Sequence, residues 1–122
     1  MVLFDANMIL RFLLADNAEM AEEAERYLNE SDVWVTVEVI AEVVYVLGGV
    51  YAMDRTKIAD IVVKFLTLVS SSESDVLAKA LEAYKTYHLD FVDCVLFAYH
   101  KLRGVEIATF DKKLIKLMAS KG

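Results

Sequence analysis

Asp5, Glu42, Asp93 and Asp111 are far apart in the chain, yet each falls at the end of an expected strand or in a helix beside one. A parallel sheet gathers such positions at one edge. Clustered carboxylates repel one another and cost folding energy unless a cation neutralises them. A set of this kind points to divalent metal, and the chemistry such a metal serves best is phosphodiester hydrolysis.

Each position also has a structural alternative. Asp5 follows the apolar Val2-Leu3-Phe4 and is either a helix cap or a ligand. Asn7 either fixes Asp5 by a hydrogen bond or shapes the turn. Glu42 lies among core-type residues, so its charge faces water or a polar cluster. Glu38, one turn earlier on the same face, reads as a helix-end charge favoured by the dipole. Asp90 and Asp93 stand three apart at a helix start. Asp90 is an N-cap or an additional ligand. Asp93, one turn in and followed by Cys94 and an apolar stretch, is hard to explain by solvation and reads as a ligand. Asp111 is a cap or a ligand, with the Thr109 hydroxyl at the same strand end. Lys112, Lys113 and Lys116 are solvated surface or a phosphate contact.

The elements that would position these residues alternate between strand and helix. Val2–Phe4 and Val33–Val35 read as buried strands, Thr67–Ser70 as a short edge strand and Glu106–Thr109 as a further strand. Helices are expected over 6–14, from a cap at Asp16 or Asn17, after Thr36 to Gly48-Gly49, and over 55–66 behind Asp54. A weak capping box, Ser72 with Asp75, opens another over about 76–87. Asp90 opens a helix, apolar almost all round, that Gly104 stops, and Asp111 begins the last. The β-branched run Val43–Val46 leaves a strand as a competing reading, but it does not alternate. Alternation with short connections gives an α/β fold with a parallel sheet, whose sites lie beyond the carboxyl ends of the strands.

The 122 residues suffice for one domain, 1–122, with a real core, and no proline, linker or repeat divides them. The hydrophobic share of 57% fits buried parallel strands. No apolar run approaches the roughly 18 residues of a membrane span, and the start of the chain does not read as a signal peptide. The single cysteine, Cys94, excludes an internal disulfide and points to a reducing cytoplasm. A net charge of −6 argues against a basic duplex-binding face. His88 and His100 form no zinc-hydrolase spacing, and His100 reads as surface or a subunit contact. P-loop, dinucleotide and serine-hydrolase motifs are absent. The Tyr and Phe residues mostly fit helix stripes and offer no base-stacking platform.

Four segments then stand in register: Leu3-Phe4-Asp5-Ala6-Asn7, Ile40 to Leu47 around Glu42, Leu89-Asp90-Phe91-Val92-Asp93-Cys94, and Ala108-Thr109-Phe110-Asp111-Lys112-Lys113-Leu114. Together they cover essentially the whole chain, and it resembles the PIN-domain ribonucleases, most closely the VapC-type toxins of toxin–antitoxin pairs. Ala6 departs from the usual Thr or Ser, and Cys94 from the usual Ala. The tail is short for the family, leaving a last edge strand unaccounted for. The resemblance implies a three-layer α/β/α sandwich with a short parallel sheet of four or five strands. It implies an acidic site of Asp5, Glu42, Asp93 and Asp111, with Asp90 as a further acid and Asn7 and Thr109 as accessories. It implies Mg²⁺ or Mn²⁺, an RNA substrate cleaved by metal-activated water, a homodimer, and an antitoxin whose basic segment fills the acidic groove. The rival readings are a non-catalytic RNA- or protein-binding module, an RNA-processing nuclease outside toxin–antitoxin pairs, and a phosphotransfer domain, which lacks its partner lysine.

Overall fold

The computed structural model describes residues 1–120; the end of the chain at Lys121-Gly122 lies outside them. These residues fall into two units, Met1–Ser74 and the remainder from Asp75 onward.

The first unit runs β1 (Val2–Leu3), α1 (Ala6–Leu14), α2 (Ala18–Glu30), β2 (Val33–Trp34), α3 (Val37–Gly49) and α4 (Arg55–Leu66). Every helix in it starts at a side chain chosen for that place. Asp5 accepts from the Met8 amide at 2.8 Å, Asn17 from Met20 at 3.0 Å, Thr36 from Val39 at 3.2 Å and Asp54 from Lys57 at 2.9 Å. Each bond satisfies one of the amides that a helix start leaves without a partner. The β-branched run of α3 is helical. Its buried residues Ile40, Val43, Val44 and Leu47 recur at the helical period, and the helix packs against α1 and α4. Phe4 meets Tyr27 edge-on, and Phe12 lies 5.9 Å from Phe65.

β1 and β2 pair in parallel, Val2 opposite Val33 and Leu3 opposite Trp34. Ser70 adds a single bridge beside Trp34, with Val35 donating to its carbonyl and its own amide donating to Val33. The edge strand expected at Thr67–Ser70 contracts to this bridge for a local reason. The amides of Thr67 and Leu68 turn back onto the carbonyls of Lys64 and Phe65 and close the last turn of α4, so they cannot join a ladder. β1 is not buried on both faces, since Leu3 is 63% exposed.

The second unit is built around α5 (Ser74–Thr86), α6 (Phe91–Arg103) and α7 (Lys112–Ala119), with α7 packed on α6. Leu77, Leu81 and Tyr84 of α5, Phe91, Cys94 and Phe97 of α6, and Leu114 of α7 are buried. The rings of Tyr84 and Phe91, and of Tyr87 and Phe97, meet edge-on. Cys94 is wholly buried, its Sγ 3.9 Å from the Leu89 carbonyl. Gly104 ends α6 in the left-handed region, φ 67°, as a C-cap glycine should. His100 then ties down the exit through Nδ1, 2.9 Å from the Val105 carbonyl. α6 is less uniformly apolar in its surroundings than its sequence, since Val92 is 58% exposed.

Two expectations fail here. Asp75 forms no capping box with Ser72. It takes two hydrogen bonds from Arg103, at 2.7 and 3.0 Å, and one from the Val76 amide. The acid sits at the start of α5 and the base at the end of α6, so each also suits its helix dipole. Glu106–Thr109 forms no strand. Among the described residues the second unit supplies only helices, and an extended segment without a neighbour has no ladder to join. In place of the expected four or five strands, the described residues form two strands and a bridge, all in the first unit. No helix is long and apolar enough to cross a membrane.

Candidate functional site

In the first unit, Asp5 and Glu42 are exposed and stand on helices that pack against each other. Asp5 is the cap of α1, so one carboxylate oxygen is committed to the Met8 amide. Asn7 is exposed in the first turn of α1 and takes no part in that bond. Glu42 lies in the middle of α3, a turn beyond Glu38. Its side of the helix faces water between the buried Ile40 and Val43.

In the second unit, Asp90, Asp93 and Asp111 line one pocket of about 330 Å³, together with His88, Leu89, Lys112 and Lys113. Three different local arrangements bring them there. Asp90 holds the N-cap position of α6 with extended backbone, yet its side chain makes no capping bond. Asp93 follows one turn later on the same side of the helix. Asp111 caps α7 by accepting from the Leu114 amide at 2.9 Å, and its own amide donates to the Thr109 hydroxyl at 3.0 Å. Thr109 and the cap together fix the angle at which Asp111 enters the pocket.

The electrostatics follow from the crowding. Partial burial, then the charge of Asp111, then that of Asp90, push the Asp93 carboxyl above its ordinary range. No cation in the unit offsets this: Lys112 and Lys113 line the pocket without forming an ion pair among the described residues. Within neither unit are three or more His, Cys, Asp or Glu side chains, among those described, grouped tightly enough to hold a metal ion by themselves. The donor set nevertheless fits Mg²⁺ or Mn²⁺. It is all carboxylate oxygen, and Mg²⁺ keeps several waters and takes only one or two protein carboxylates directly. Besides the carboxylates the pocket lining holds the imidazole of His88, while Cys94 is buried away and His100 is engaged with Val105.

The structure thus brings together Asp90, Asp93, Asp111 and Thr109, and assigns caps to Asp5 and Asp111. It adds His88, which the sequence spacing passed over; its place two residues before Asp90 was the available signal. One aromatic stands apart from the helix stripes. Phe110, immediately before Asp111, is 102% exposed and belongs to no stripe.

Residues 2–119 match the family pattern described as PIN domain. A VapC ribonuclease of Aquifex aeolicus (strain VF5) is 28% identical over 96% of this chain and 92% of its own length. No solved structure matches the chain significantly.

Proposed function

The chain belongs to the PIN-domain family, and from that premise we propose that it is a divalent-metal-dependent endoribonuclease, the toxin of a toxin–antitoxin pair, acting as one domain over residues 1–122. The observation that carries this reading is the convergence of Asp90, Asp93 and Asp111 on one pocket where Asp93 is left in electrostatic excess. The similarity to a VapC ribonuclease supports RNA as the substrate.

In this reading Asp93 and Asp111 would hold Mg²⁺ or Mn²⁺ with Asp90 as a third donor, and Asp5 and Glu42 are further catalytic acids. A divalent ion, when bound, supplies hydroxide near neutral pH and positive charge opposite the phosphate. The chain's own residues do the rest. Thr109 and the α7 cap fix Asp111, Asn7 serves beside Asp5, and Lys112 and Lys113 receive the RNA phosphates. In-line attack by water on phosphorus, with the 3′ oxygen as leaving group, leaves 5′-phosphate and 3′-hydroxyl ends, and no side chain is needed as nucleophile. The acidic groove suits the basic segment of a cognate antitoxin, and the working form is a cytoplasmic homodimer.

The test is cleavage of RNA by the purified protein with Mg²⁺ or Mn²⁺, abolished by chelation. Asp5→Asn retains the α1 cap while removing the charge, and it should lower cleavage by roughly a hundredfold or more. Full activity in that variant would falsify the mechanism. RNA binding without cleavage under any divalent ion would leave the binding-module reading.

A further inference from the structure

The acid pocket adjoins a second cavity of about 380 Å³, with which it shares His88, Leu89 and Lys113. The further wall is made by Tyr87, just beyond α5, and by Lys116 and Leu117 of α7. The two cavities differ in kind. The first holds three carboxylates, while the second holds none and is faced by Tyr87, Leu89 and Leu117. Its volume lies within the roughly 300–1,000 Å³ of small-ligand sites. The Tyr87 ring meets Phe97 edge-on at 6.1 Å, so its orientation is set by packing. Lys113 and Lys116 stand three apart on α7, on one side of the helix, and neither is paired with an acid among the described residues.

We infer that this cleft seats the base of the RNA nucleotide next to the scissile phosphate, with Lys113 and Lys116 on the adjoining backbone phosphate. The inference rests on the nuclease reading of the acid pocket and names the part of the substrate that lies beside it. The shared residues His88, Leu89 and Lys113 make the cleft the immediate neighbour of that pocket. The side chains of Tyr87, Leu89 and Leu117 offer a base apolar contact without reading its edges, and the ammonium groups of Lys113 and Lys116 suit the phosphate. The net charge of −6 makes these lysines stand out as local exceptions.

The experiment uses the full chain, a short single-stranded oligoribonucleotide, and both steady-state cleavage and binding across a salt series. Lys116→Ala should raise KM about tenfold with kcat within about twofold, and lower the log–log salt slope by about 0.7. Leu117→Gln should raise KM similarly and leave the salt slope unchanged. Cleavage by the wild type with KM unchanged in both Lys116→Ala and Leu117→Gln overturns the cleft and leaves the nuclease reading standing. Loss of self-association in those variants, with KM unchanged, overturns it in favour of a protein occupant. A wild type that neither binds nor cleaves RNA overturns the nuclease reading and the cleft together.

Discussion

Asp5 and Asp90 hold the same station at the heads of two helices, α1 in the first unit and α6 in the second, and they are used differently. Asp5 spends an oxygen on the Met8 amide, while Asp90 makes no capping bond. The contrast extends to their neighbours. In the first unit Asp16 is bound by Arg11, Glu23 by Arg26, and Asp54 by the Lys57 amide. In the second unit Asp75 has Arg103, but Asp90, Asp93 and Asp111 share a pocket with no paired cation. Charge in the first unit mostly serves the fold. In the pocket of the second, burial and the neighbouring charges of Asp111 and Asp90 disfavour the ionised Asp93, which is the excess the proposed metal would neutralise.

The largest effect should come from removing that excess. Asp93→Asn is expected to cut RNA cleavage roughly a thousandfold, while the metal-free protein melts at a higher temperature than wild type. The sign follows from the raised Asp93 pKa. Protonation, and by the same logic amidation, favours the folded state, so metal-free stability attributable to this group grows as pH falls through its folded pKa. A melting temperature that drops in Asp93→Asn would show that the helix dipole outweighs the repulsion and would erase the contrast between units.

Asp111 sharpens the comparison, because it is both cap and pocket acid. Asp111→Ala should cost about 1 kcal/mol of stability as well as activity, whereas Asp111→Asn should keep the cap and lose only activity. Equal denaturation midpoints for the two variants would mean that the α7 cap contributes nothing. The same pair at Asp5 tests whether the first unit obeys the same rule.

The smallest effect belongs to the exposed Asp75–Arg103 clasp. Arg103 holds the Asp75 carboxyl at about 2, below its usual value, so its contribution is present above the unfolded pKa and disappears as pH falls through about 2. Acid titration of Asp75→Asn should lack this component; a titration identical to wild type would assign it elsewhere.

What could be read from the chain alone divides along the range of the interactions. The caps Asn17, Thr36 and Asp54, the stop at Gly104, and the β1–Asp5–α1 sequence all depend on residues within a few positions, and they stand as expected. Glu106–Thr109 reads as a strand and is not one because a strand is defined by a distant partner, which composition does not reveal, whereas Thr67–Ser70 keeps only its bridge at Ser70 because the end of α4 takes the amides of Thr67 and Leu68. Asp90 carries the same lesson at the site. Its residue type and station are those of a cap, and only the three-dimensional setting frees it from that task. His88, a flank of two residues from Asp90, was passed over because no metal-binding spacing drew attention to it.

Cys94 follows Asp93 directly and is wholly buried beneath α6. As the chain's one thiol, it is a built-in clock for the helix that carries the acids. A thiol reagent reaches Sγ only when that helix lifts from its bed, so the speed of labelling reports how often it does. Divalent ions that settle among the acids would slow the clock, giving a measure of occupancy that needs neither a substrate nor a mutation.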